Sequence, residues 1–201
     1  MILHVGCAGF IGAQQEYLRS FRMVEIQGDA SPAPKLATLR RWRAAVPEDF
    51  VFTLAEPLGD PAGIAPRVEA LAAQVLVIRT PTSFTPTAAN REALARYVGG
   101  LPPPARMGAR LAWEPLGLWQ RGEIERLVEQ LGVIPCVDPI QHKEPLHHEG
   151  VAYHRVRGLG GPIGEREMER VVMACEDLDE AFIVFARAED AQRFLKLLAE
   201  S

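Results

Sequence analysis

Acid–base chemistry needs carboxylates, and anion recognition needs guanidinium groups. In this chain both stand in or just past short apolar runs. Glu25 lies in Met23–Gln27, Glu114 closes Ala109–Glu114, and Asp138 follows Val133–Val137. Arg79 lies in Val75–Thr80, Arg155 and Arg157 sit at the end of Val151–Val156, and Arg187 follows Phe182–Ala186. If a fold gathers these run ends, Glu114 and Asp138 come from neighbouring runs. That separation suits two-carboxylate hydrolysis, one group as acid and one as base. Glu25 is the third candidate acid. A carboxylate enclosed among apolar neighbours needs a partner; Arg155 is the first choice for Glu25 and Arg79 the next. The competing reading of the same residues is an ion-pair network that only plugs the fold.

A second feature is Gly158-Leu159-Gly160-Gly161-Pro162-Ile163-Gly164, which follows one apolar run and opens a helix. Gly158, Gly160 and Gly161 let backbone N–H groups approach an anion. Arg155, Arg157 and Arg187 would add bidentate donors. The expectation is a site for a phosphate, sulfate or carboxylate. Against it, Glu165 and Glu167 fall in the helix's first turn and satisfy its dipole themselves, and Pro162 removes one N–H. His142, His147, His148 and His154, with Asp138 and Glu149, show no HExxH or other ligand spacing, so neither a metal nor another cofactor is expected. Cys7 has no identifiable base beside it and reads as a core filler.

The elements that must position these groups are eight strand-length runs: Ile2–Gly6, Met23–Gln27, Phe50–Leu54, Val75–Thr80, Ala109–Glu114, Val133–Val137, Val151–Val156 and Phe182–Ala186. They are rich in Val, Ile, Leu and Phe, as parallel strands covered on both faces are. Helical periodicity lies between most of them, over Lys35–Val46, Pro66–Ala73, Ala88–Val98, Trp119–Leu131, Glu165–Cys175 and Asp190–Ala199, with Asp190 a plausible cap. Gly12–Ser20 is a poor helix, and Ile140–Gly150 is polar enough to be a loop. Eight strands with crossovers make a small (β/α)8 barrel, a single domain over 1–201 with a trimmed helical ring. The rival is an open doubly wound sheet; no GxGxxG follows the first run. In a barrel the C-terminal strand ends share one rim, which would collect Cys7, Glu25, Gln27, Glu56, Arg79, Glu114, Asp138, Arg155, Arg157 and Arg187. By the period-two rule Val24, Ile26 and Val156 face the helices.

Composition narrows the partners. The 201 residues are 48% hydrophobic and 24% charged, with formal net charge -4. That balance counts against coating nucleic acid by bulk charge. No run approaches the roughly 18 apolar residues of a membrane helix, so no membrane partner is expected. Three widely separated cysteines, Cys7, Cys136 and Cys175, suit neither a disulfide framework nor a zinc knuckle, and a reducing cytoplasm is the expected location. Oligomeric state is not legible.

Several segments together resemble one family. Leu3-His4-Val5-Gly6-Cys7-Ala8-Gly9-Phe10 is similar to the "IGTSGW" opening of YecE-like proteins, and Val24-Glu25-Ile26-Gln27 to their "VEIN" strand. Leu39–Ala55, with Trp42, Pro47 and Phe50-Val51-Phe52, resembles their third unit; Val77–Phe84 resembles "LLQLPPSF". Leu111–Pro115 is similar to "VEFRHPSW", Gly132–Asp138 to "GVALVLAD", Tyr153–Gly158 to "YVRLHG", and Phe182–Phe185 to the last strand. The resemblance runs in order along nearly the whole chain. Cys7, Ala8, Ala55, Pro115, Arg157 and Ala186-Arg187 depart from the family pattern, whereas Glu25, Glu114, Asp138 and Arg155 keep it. It implies a TIM-like barrel, shaped like endonuclease IV and xylose-isomerase-type barrels, and a short, divergent member of a family without an established function. Three readings follow: a barrel binding a small anionic, phosphate-bearing ligand at its C-terminal mouth, with or without hydrolase-like chemistry; a nucleic-acid-processing protein; or a non-catalytic barrel acting as a binding or scaffold protein.

Overall fold

The computed structural model describes all residues except Lys143, Pro145, Leu159 and Ser201. Eight parallel strands close into one barrel in sequence order: β1 (Ile2–Ala8), β2 (Met23–Gln27), β3 (Val51–Pro57), β4 (Val75–Thr80), β5 (Arg110–Pro115), β6 (Ile134–Val137), β7 (Val151–Val156) and β8 (Glu180–Phe185). Around them lie α1 (Gln14–Ser20), α2 (Leu36–Ala44), α3 (Ile64–Leu71), α4 (Ala88–Gly100), α5 (Pro104–Met107), α6 (Arg121–Leu131), α7 (Glu165–Met173) and α8 (Ala188–Glu200). This is a (β/α)8 barrel. The ring is uneven: α4 and the one-turn α5 share the β4–β5 crossover. The β6–β7 crossover carries no helix among its described residues, only an antiparallel bridge between His148 and Val151.

Alternation along the strands sorts the core in two. Val24, Ile26, Phe52, Leu54, Leu76, Ile78, Trp113, Val156, Ile183 and Phe185 point outward into one apolar cluster with the helices. Met23, Val51, Val75, Val77, Ile134, Cys136, Tyr153, Phe182 and Val184 fill the barrel's inside. There Tyr153 and Phe182, partners in the β7–β8 register, stack at 5.8 Å.

The expected weak helix at Gly12–Ser20 does form, because Tyr17 ties it to the sheet. The buried Tyr17 hydroxyl accepts from the Cys7 N–H at 2.8 Å and donates to the Met23 carbonyl at 2.7 Å, spanning β1 and β2. Gly6 makes this possible: a Cβ there would lie 2.2 Å from the Met23 oxygen and 3.1 Å from the Tyr17 hydroxyl. α6 ends on Gly132 at φ 62°, a left-handed cap that glycine adopts without strain. Asp190 is not the cap of α8. It is buried inside the first turn and accepts from the Ile163 N–H at 3.2 Å, pinning the loop before α7.

The N-terminal end of the barrel is closed by a small cluster. Glu180 uses both oxygens, one with His4 Nε2 at 2.9 Å and one accepting from Arg110 at 2.7 Å. The His4 ring stacks on Phe182 at 4.7 Å, and the Arg110 guanidinium covers the same ring at 5.0 Å. No helix among the described residues is long and apolar enough to cross a membrane.

Candidate functional site

At the opposite end, the inward positions change from apolar to charged. Glu25 and Gln27 on β2, Arg79 on β4, Glu114 on β5, and Arg155 on β7 with Arg157 just beyond it share this end by strand parity. The register sets Arg79 directly beside Glu114. Arg155 is the hub. Its Nη2 donates to Glu25 Oε2 at 2.5 Å and its Nη1 donates to Glu114 Oε2. Arg157 holds the other Glu114 oxygen at 2.5 Å. Glu25 Oε2 also accepts from the Tyr153 hydroxyl at 2.8 Å, which lies 2.7 Å from Thr53 Oγ1. Gln27 continues the chain, donating to Glu25 Oε1 at 2.6 Å and accepting from Arg79 at 3.0 Å, while Arg79 pairs outward with Asp29.

These charges are enclosed. Glu25 is 0%, Glu114 3% and Arg155 5% exposed. Removing charge from water is expensive, and only a partner with fitting hydrogen bonds repays it. Burial pushes the Glu114 carboxyl above its usual range, against the pull of Arg155 and Arg157. Burial works against the Arg155 charge too, but the neighbouring carboxylates, Glu25 foremost, keep it firmly protonated. The Tyr153 hydroxyl is held well above its ordinary pKa, first by burial and then by the Glu25 charge, so it serves as a donor. In this cluster the Nε–H groups of Arg155 and Arg79 are buried and make no hydrogen bond among the described residues. Buried donors are rarely left so.

The other expected site residues are placed differently. Asp138 stands at the same rim, after β6, but its carboxylate is taken up by its own loop and by the backbone just past β7. It accepts from the Ile140 N–H and the Arg157 N–H, each at 3.0 Å, and from Gln141 at 3.4 Å. Arg187, half exposed, turns to the start of α8 and pairs with Asp190 at 3.5 Å and Glu189 at 3.8 Å. In the glycine loop Gly158 and Gly160 have φ of 63° and 91°, Gly161 lies beside them, and Leu159 lies outside the described residues. The Gly164 N–H at the start of α7 is taken by Glu167 at 2.8 Å.

Two residues expected at the rim are not there. Cys7 points outward among Tyr17 and the helices, and burial raises its thiol to about 12. Glu56 alternates outward as well and meets Arg67 at 2.7 Å. His154 also faces the helices, its Nε2–H donating to the Ala174 carbonyl at 3.2 Å, and burial lowers it to about 4. Among the described residues, no three His, Cys, Asp or Glu side chains converge as metal ligands would. Thr53, Tyr153 and Asp29 were missed as members. Their signal was parity: Tyr153 lies two residues before Arg155, and Thr53 is the register partner of Glu25.

No family model and no curated protein sequence matches the chain. Its shape does find matches. A DUF72-family protein of Thermotoga maritima superposes with TM-score 0.77 at 20% identity, covering 99% of this chain and 100% of that one. The barrel has the fold of DUF72-family proteins. A second such protein, from Enterococcus faecalis, gives TM-score 0.72 at 16% identity over 100% of this chain and 98% of its own. A family 2 AP endonuclease from Brucella melitensis gives 0.59 at 11% identity, covering 99% of this chain and 98% of that one. At such identities the likeness is one of fold, and chemistry has to be argued from the site itself.

Proposed function

We propose that this chain is a short YecE-like barrel that binds a small anionic, phosphate-bearing ligand at the C-terminal mouth. The observation that carries the reading is the pair of buried guanidinium Nε–H donors on Arg155 and Arg79, set in a cluster with the half-exposed Arg157. Guanidinium forks match phosphate oxygens in geometry and charge. Arg79, Arg155 and Arg157 would contact the ligand, Arg155 through the Nε–H that Glu25 and Glu114 leave free. Gly158, Gly160, Gly161 and Arg187, on the β7 and β8 side of the rim, would form the outer wall.

If the bound ligand is turned over, Glu114 is the group for general acid chemistry. Burial favours its protonated form at a position facing the mouth. Glu25 and Asp138 are the remaining candidate acids. The collinear YecE-like motifs and the DUF72 fold likeness support the family placement. Three buried free thiols suit a reducing compartment such as the cytoplasm.

Thermal melting with inorganic phosphate, ribose 5-phosphate and ribose tests the reading. Both phosphate compounds should raise Tm by mass action, and ribose should not. A shift from ribose equal to that from ribose 5-phosphate, or no shift from any of them, contradicts it.

A further inference from the structure

Beside the mouth, a cleft of about 530 Å³ opens between the segment after β1, the segment after β2 and the first turns of α2. Its size is that of a small-molecule site. Two half-buried aromatic rings form its wall, Phe10 just past β1 and Trp42 on α2, with centroids 5.5 Å apart at 67°. Phe10 is braced from behind by Tyr17, edge to face at 5.5 Å. Pro32 and Pro34 make up the facing segment, whose backbone proline restricts. The polar groups on the wall include the exposed Lys35 and Gln27. Gln27 is shared: the side chain that borders this cleft also bonds Glu25 and Arg79 of the mouth. A molecule seated in the cleft therefore lies one side chain away from the charged cluster.

We infer that this cleft takes a flat apolar ring belonging to the ligand whose anionic end is held at the mouth, making that ligand an aryl phosphate or a similar ring-bearing anion. The inference rests on the anion reading given above. Aromatic walls inclined at 67° offer a ring one face for stacking and one edge. The rigid walls keep the ordering cost of binding small. Joining a ring to the anion makes the second contact intramolecular, so affinity should exceed that of the bare anion.

Calorimetric titration with phenyl phosphate, inorganic phosphate and benzyl alcohol tests this. Phenyl phosphate should bind at least about tenfold more tightly than inorganic phosphate, a modest return for burying one ring. Trp42→Ala should remove most of that advantage and leave the affinity for inorganic phosphate unchanged. Ala33→Trp, which fills the cleft from an exposed position without deleting a core contact, should do the same. Equal affinities for the two phosphates in the wild type overturn the inference, as does an advantage that survives both substitutions. Failure of the mouth reading looks different. Benzyl alcohol binding that depends on Trp42, with phosphate binding indifferent to Arg157→Leu, keeps the ring site and removes the anion site.

Discussion

At the N-terminal end of the barrel, Glu180 is held by one histidine and one arginine, both of which lie against Phe182. Its carboxylate is fully used, and the Arg110 hydrogen bond pulls its pKa below the usual range. At the C-terminal end, Glu114 has two arginines and is nonetheless pushed upward, because burial outweighs them. The first cluster is what a structural plug looks like: its charged form is favoured by folding. In the second, folding disfavours the charge it encloses and leaves two arginine donors without a hydrogen bond among the described residues. Such a conflict between local and global stability is characteristic of sites kept for function.

Breaking the hub should have the largest effect. Arg155→Ala leaves Glu25 and Glu114 buried without their shared partner, at a cost of about 3–5 kcal/mol in urea unfolding. Replacing the set together, as Glu25→Leu, Glu114→Leu and Arg155→Met, should recover most of that loss while abolishing phosphate binding. Tyr153→Phe comes next, at about 1–2 kcal/mol, since Glu25 and Thr53 each lose a buried hydrogen bond.

The smallest stability effects lie in pH dependence and should have opposite signs at the two ends. Glu180 has a lowered folded pKa, so its contribution is present above the ordinary carboxylate range and lost as pH falls through the lowered value. Glu180→Gln should flatten the acid side of the stability profile, with about 1 kcal/mol or less lost at neutral pH. Glu114 has a raised folded pKa, so its contribution is present below the ordinary range and lost as pH rises through the raised value. Glu114→Gln should remove that decline. Unfolding midpoints measured across pH for both variants check the two signs.

The strand pattern was largely legible because buried parallel strands announce themselves as apolar runs, and closure followed from counting them. Within the site, period-two parity put Glu25 and Gln27 on one face, and the cost of burying an unpaired carboxylate named Arg155 as the partner of Glu25. It failed where a strand was ended too early. Closing β1 at Gly6 hid that Cys7 alternates outward, and starting β8 at Phe182 concealed Glu180 and with it the whole N-terminal plug. Asp138 is held at the rim by its own turn. A short carboxylate before Pro139 can catch the amide two residues on, and the Asp-Pro pair already signalled that turn. Arg155 and Arg157 are the residues bonded to Glu114. Which of several arginines reaches a given acid depends on barrel geometry that no local pattern encodes. The cleft beside Phe10 and Trp42 was equally hidden, since its walls come from three separate segments.

The contrast between the two ends can be tested directly by measuring Tm with and without inorganic phosphate for Arg110→Leu and Arg157→Leu side by side. The account predicts that Arg110→Leu melts earlier but keeps the full phosphate-induced rise, whereas Arg157→Leu melts close to the wild type and loses the rise. A phosphate response that survives in Arg157→Leu, or disappears equally in both variants, would contradict it.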